Sequence, residues 1–79
     1  MTNWQSALRI PVGESYVTPH EKKLLWLLRN GKTNKWMAAE IGVGEQQVKN
    51  KISELIHRFQ VENRTQLAFK MARLGVIEI

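Results

Sequence analysis

The sequence predicts an all-α fold, a four-helix bundle with a helix-turn-helix at its centre and a short N-terminal arm, on three observations. Residues 34–59, NKWMAAEIGVGEQQVKNKISELIHRF, read as two amphipathic segments joined by a tight turn. Small Ala38 lets the helices approach. Gly42 stands where the first must stop and the chain needs positive φ, and Val48 points back into the angle between them. The second observation is Thr18-Pro19-His20-Glu21, a helix start with Thr as N-cap, Pro in the first turn and Glu three residues on to close a capping box. The third is a last amphipathic segment opened at Asn63 and stopped by Leu74-Gly75.

Residues 1–17, MTNWQSALRIPVGESYV, form the arm and 18–79 the helical domain. The arm shows no sustained period. Trp4, Ala7, Leu8 and Ile10 allow one and a half helical turns docked on the domain, ended by Pro11 and Gly13; the alternatives are a partly ordered tail or a subunit contact. Trp4 and Trp26 lie outside the turn motif and can pack together. The first helix continues through LLWLL to Asn30-Gly31, with Leu24, Leu25 and Leu28 as its buried stripe and Leu27 at the margin. His20 reads as a first-turn surface residue, since no second ligand stands at metal spacing.

Residues 31–34 lead into the second helix, capped by Asn34 with Thr33 as competitor. That helix, 35–41, buries Met37, Ala38 and Ile41 and leaves Trp36 outside or at a margin. Cover for its ring comes from the arm, from a partner or, most simply, from a neighbouring helix. The third helix, about 45–59, turns Val48, Ile52, Leu55 and Phe59 inward, at steps of four, three and four. Its outward face is then Gln46, Gln47, Lys49, Asn50, Ser53 and, toward the end, His57. Gln and Asn pair with adenine edges and Lys donates to guanine, so such a row can read bases; a solvated helix face has the same residue types. Thr33, Asn34, Lys35, Lys49, Lys51 and Arg58 are candidate phosphate contacts. Glu45 suits the helix dipole but repels phosphate, and Glu54 opposes DNA unless it faces away or pairs with Arg58. In the last helix Leu67, Met71 and Leu74 make one apolar stripe, Ala68 and Ala72 a second, and Phe69 lies off both. A helix apolar on more than one side packs on more than one side, so one face joins the core and the other meets a second copy. The candidate subunit contact is Leu67, Phe69, Lys70, Met71, Arg73 and Leu74. Residues 76–79 either fold back onto the core or extend that contact.

Composition bounds the function. At 79 residues there is room for one small core and no second domain. Lys and Arg outnumber Asp and Glu by 12 to 7, an excess that lies almost wholly beyond residue 18. A basic compact domain suits a polyanion, most commonly nucleic acid; the alternative is a basic face that only keeps the protein soluble. The absence of cysteine excludes disulfides, thiol catalysis and thiolate metal sites. Two isolated histidines with no aspartate or cysteine supply no triad, metal set or acid-base pair, so no catalytic residue, cofactor or metal is expected. The longest apolar run, Leu24 to Leu28, is too short for a bilayer, and residues 1–17 lack the apolar block of a secretory signal, so a cytoplasmic protein is expected.

From Val17 to Ile77 the order of elements resembles the DNA-binding domain of the LuxR/FixJ/GerE family of bacterial regulators. The resemblance rests on Thr18-Pro19 with Glu21, Leu24-Leu25, Leu27-Leu28, Gly31, Asn34-Lys35, Ala38, Gly42-Val43, Glu45, Val48-Lys49-Asn50, Ser53, Val61 and, above all, Asn63-Arg64-Thr65-Gln66. It implies sequence-specific binding to double-stranded DNA as a homodimer, at the bacterial nucleoid, with the third helix in the major groove, the last helix at the subunit contact and no catalysis. It also implies that Lys49 contacts DNA and that Asn50 and Ser53 face the groove. Departures are Gly44 where Ser or Thr usually caps the reading helix, Lys51 for a common His, Glu54 for a polar or basic residue, and Gln60 where glycine commonly ends the helix. Holding Gln60 in the left-handed conformation costs about 1 kcal/mol, which predicts a differently formed helix end. The segment before Val17 is too short for the receiver or ligand-binding domain usual in the family, and without aspartate there is no phosphoryl-aspartate switch, so a stand-alone member is expected. The alternative function is a protein-binding antagonist that captures a full-length relative and holds it off DNA. Trp4, Trp36, Phe69, the last helix and the acidic Glu45 and Glu54 motivate it.

Overall fold

The computed structural model describes residues 8–13 and 15–77. Among these, a two-stranded antiparallel hairpin, β1 (Ile10–Val12) and β2 (Ser15–Val17), precedes four helices: α1 (Pro19–Arg29), α2 (Asn34–Ile41), α3 (Glu45–Arg58) and α4 (Arg64–Arg73). The bundle is the predicted one. Helix α2 packs on α3, and α1 packs on both α2 and α4, around a core of Leu24, Leu25, Met37, Val48, Leu55, Leu67 and Met71. No helix among the described residues is long and apolar enough to cross a membrane.

The hairpin replaces the helical turn expected at Leu8 and Ile10; Trp4 and Ala7, and with them the pairing of Trp4 with Trp26, lie outside the described residues. Ile10 pairs with Val17, Pro11 with Tyr16 and Val12 with Ser15. Strand alternation then sends Val12 and Val17 into the core and Pro11 and Tyr16 to the surface. With only two strands both are edges, so a proline is tolerated.

Helix α1 has both halves of its capping box: the Glu21 amide donates to Thr18 Oγ1 (3.2 Å) and the Thr18 amide to Glu21 Oε1 (2.9 Å). Leu27 is buried with the rest of the stripe rather than at its margin. Helix α2 is capped by Thr33, not Asn34. Thr33 is extended (φ −74°, ψ 160°), so its hydroxyl accepts the Trp36 amide at 3.1 Å, while Asn34 is already helical. Gly42 ends α2 at φ 86°, the positive value the turn requires.

The end of α3 corrects the expectation for Gln60. Its φ is +56°, the left-handed conformation glycine usually supplies. The Gln60 amide donates to the His57 carbonyl (3.2 Å) and the Val61 amide to the Ile56 carbonyl (3.1 Å), the paired bonds of a Schellman ending. Ile56 and Val61, the two residues that meet in such a motif, both pack against the core. Two satisfied carbonyls and that contact outweigh a backbone penalty of about 1 kcal/mol. Helix α4 is capped by Asn63 Oδ1, which accepts the Gln66 amide at 2.9 Å. Beyond it Val76 and Ile77 fold back into the core, the first of the two fates open to the tail.

Candidate nucleic-acid interface

Helix α3 is positioned by its inward face. Val48, Ile52, Leu55 and Phe59 are all buried, which fixes the roll of the helix and leaves Gln46, Gln47, Lys49, Asn50, Ser53 and His57 exposed. Within that row Gln46 Nε2 donates to Asn50 Oδ1 at 2.9 Å, which orients two amides one turn apart. Gln47 has a second task. Gly44 has no side chain to cap α3, and Gln47 Oε1 instead accepts the Gly44 amide at 2.9 Å, half of a capping box. Lys49 and Ser53 project from the same face, and Lys49 forms no ion pair among the described residues.

Three further candidates, Thr33, Asn34 and Lys35, stand at the start of α2, the helix that packs on α3. Lys35 is exposed there, and the Thr33 hydroxyl is engaged with its own helix. Asn34 is half-buried, and its side-chain carbonyl accepts Arg64 Nη1 at 2.8 Å, tying the beginning of α2 to the beginning of α4. Trp36 is 45% exposed, so no helix covers it; the Lys32 ammonium stands over its ring, 4.6 Å from the centroid.

Of the four cations among the candidate phosphate contacts, Lys51 and Arg58 are otherwise engaged. Arg58 grips Glu21 with Nη1 and Nη2 at 2.9 and 3.0 Å, Glu54 with Nε at 2.8 Å and through a further Nη2 contact, and the Tyr16 carbonyl with Nη1 at 2.9 Å. Lys51 Nζ lies 2.9 Å from Glu21 and 3.2 Å from Glu54. The physical reason is Glu21, which is almost wholly buried and needs compensating charge. Burial alone pushes its carboxyl up, but the Arg58 guanidinium, the Thr18 amide and the Lys51 ammonium outweigh that and hold its pKa at about 2. Glu54, a liability toward DNA, is neutralised by the Arg58 pairing named as its remedy. The sequence marked Glu21 only as a capping residue; its offset from Arg58, 37 positions, follows no local rule.

Helix α4 divides the candidate subunit contact in two. Leu67 and Met71 are completely buried in the chain's own core, so that stripe faces inward. Lys70 is half-buried and donates to the Phe59 carbonyl at 2.9 Å, closing the end of α3. Phe69 (68% exposed), Arg73 and Leu74 remain at the surface. Among the described residues no group of three or more His, Cys, Asp or Glu is placed to hold a metal.

Residues 15–71 match the family GerE, "Bacterial regulatory proteins, luxR family". The Bacillus subtilis spore germination protein GerE is 32% identical over 63 residues, 80% of this chain and 85% of that protein. Two longer proteins match over the same kind of segment. The uncharacterized transcriptional regulatory protein YhcZ of Bacillus subtilis is 40% identical over 60 residues, 73% of this chain, and the DNA-binding transcriptional activator DevR/DosR of Mycobacterium tuberculosis 43% identical over 54 residues, 68% of this chain. The match spans only 28% of YhcZ and 25% of DevR/DosR. The solved structure of the transcription factor GerE superposes with a TM-score of 0.75 at 27% identity, covering 78% of this chain and 92% of that one. The family and these relatives are regulators of transcription, not enzymes.

Proposed function

Because the chain belongs to the luxR family of bacterial regulatory proteins, we propose that it is a sequence-specific DNA-binding regulator of transcription. It acts in the bacterial cytoplasm, at the nucleoid, with α3 in the major groove of double-stranded DNA. The observation that carries this is the exposed row on α3: Gln46, Gln47, Lys49, Asn50 and Ser53 project together from a helix whose opposite face is locked in the core. Lys49 donates to a base edge, and the Gln46–Asn50 pair presents an oriented amide to an adenine. Lys35 and the start of α2 sit on phosphate, with the Asn34 amide and the Thr33 hydroxyl as neutral donors. Arg58 and Lys51 act indirectly: by gripping Glu21 and Glu54 they hold α3 against α1 and remove negative charge from its flank.

Two copies assemble on the DNA through the exposed ridge of α4, Phe69, Arg73 and Leu74, with Leu67 and Met71 left to the core. The test is a titration of labelled random duplexes followed by selection of the bound sequences, which reads affinity and half-site spacing together. Lys49→Ala should weaken binding by roughly 1 to 3 kcal/mol and relax preference at one base pair. An unchanged profile refutes the placement of Lys49, and no binding at low salt refutes the function.

A further inference from the structure

We propose that α3 specifies a single adenine per protomer through Gln46, with Asn50 as its positioning residue and Gln47 withdrawn from base reading. The inference rests on the placement of α3 in the major groove and adds which of its amides reads, which holds and which base edge is met. Gln46 and Gln47 are adjacent, both exposed and chemically identical, yet their amides are engaged through different atoms. Gln47 Oε1 accepts the Gly44 amide at 2.9 Å, and because a backbone N–H only donates, it is the oxygen that is turned to the helix start. Gly44 supplies no side-chain cap, so this bond closes the beginning of α3 in its place. Adenine accepts at N7 and donates from N6, so an amide reads it with oxygen and nitrogen side by side. Turning Gln47 to present both would break the cap.

Gln46 is engaged through its nitrogen. Nε2 donates to Asn50 Oδ1 at 2.9 Å, one turn further on, and Oε1 has no partner among the described residues. An amide nitrogen carries two hydrogens. Asn50 holds the one directed away from Oε1, and the one beside Oε1 is left to donate to adenine N7 while Oε1 accepts from N6. The last torsion of a glutamine is broad, and the Asn50 bond fixes it, so the amide meets the base already turned. Asn50 has spent its oxygen on Gln46 and offers Nδ2 donors, which suit an acceptor on a neighbouring base or a phosphate. Of the amides of Gln46, Gln47 and Asn50, only that of Gln46 keeps its oxygen free, and adenine is the base edge that needs it.

The experiment is a selection of bound sequences from random duplexes, with the full chain and its variants confirmed as folded by circular dichroism. The wild type should enrich adenine over any other base by about tenfold at one position of each protomer's site. Gln46→Ala should abolish that enrichment, whereas Gln47→Ala should leave it within about twofold and lower the urea midpoint through the lost cap. Asn50→Ala should cut the enrichment by at least about threefold. Asn50→Asp keeps the acceptor for Gln46 and removes the Nδ2 donors, so it should preserve the enrichment within about twofold while lowering affinity for every sequence. In the selected duplex, 7-deazaadenine at that position, which lacks the N7 acceptor, should weaken the wild type by about fivefold and Gln46→Ala by less than about twofold. Three results overturn the proposal: an adenine preference that survives Gln46→Ala, Asn50→Asp as damaging to the preference as Asn50→Ala, or 7-deazaadenine equally costly to the wild type and Gln46→Ala. Selected sites with no enriched adenine overturn it too and leave DNA reading by α3 standing, whereas a wild type that binds no duplex removes both.

Discussion

Replacing Glu21 by Gln tests whether a buried ion cluster stabilises the packing of α3 against α1. The substitution keeps the shape of the side chain and the oxygen that accepts the Thr18 amide, removes the charge shared by Arg58 and Lys51, and puts an amide NH2, which cannot accept, where Oε2 accepts from both of them. A carboxyl held at about 2 against an ordinary 4.5 corresponds to roughly 3 kcal/mol of native-state preference for the ionised form. Arg58 and Lys51 keep 26% and 16% of their side-chain exposure, and solvent screening of these partners reduces the expected loss to about 2 kcal/mol at neutral pH. The sign of the pH dependence follows from the direction of the shift. Between 4.5 and about 2 the unfolded chain binds a proton that the folded chain does not, so stability rises with pH across that window and falls as acid is added. Urea unfolding of both proteins, followed by circular dichroism, should show a gap of about 2 kcal/mol near pH 7 that closes on approach to about pH 2, where Glu21 is itself neutral. A gap that does not change with pH, or one below about 0.5 kcal/mol at neutral pH, refutes the assignment of charge to this cluster.

Other substitutions separate further parts of the structure. Leu67→Glu or Met71→Glu should unfold the protein instead of splitting a dimer, because each places a charge in the core; a folded monomer by circular dichroism and sedimentation would return that stripe to the subunit contact. Gln60→Gly should stabilise by about 0.5 to 1 kcal/mol in urea, since φ is +56° and the Schellman bonds are made by the backbone; a loss of stability would mean that the Gln60 side chain contributes more than its strain. Thr33→Ala should lose about 1 kcal/mol of stability with the α2 cap, whereas the loss from Asn34→Ala should disappear in an Arg64→Ala background, a double-mutant cycle that reads their hydrogen bond alone. Lys35→Ala should reduce the slope of log affinity for DNA against log salt by about one per protomer; an unchanged slope removes Lys35 from the phosphate set.

What was legible in the sequence is what is decided within one helical turn. The Thr18–Glu21 box, the Asn63 cap, the stops at Asn30-Gly31 and Leu74-Gly75, and the inward face from Val48 to Phe59 all depend on neighbours three or four positions away, and all are found in the fold. Where two residues competed for one local role, the chain geometry decided: Thr33 caps α2 because it is extended, and Asn34 is then free to accept Arg64, a partner 30 positions on. The hairpin is not legible in the sequence because three-residue strands are too short to display a period, and what defines them is a pairing between Ile10 and Val17 that no single strand contains. Helix α4 carries two apolar stripes, and nothing local says that Leu67, Ala68 and Met71 are buried while Phe69 and Leu74 stay exposed. Packing decides it: the first three face the core shared with α1 and α3, and Phe69 is left facing water.

The cations followed the same rule. Lys35, Lys49, Lys51 and Arg58 are equivalent as letters, yet a single buried glutamate removes two of them from the pool that can meet phosphate. In a small basic domain the functional charge is therefore what remains after the core has been neutralised. Net charge overstates that remainder, because Lys51 and Arg58 are already answered by Glu21 and Glu54.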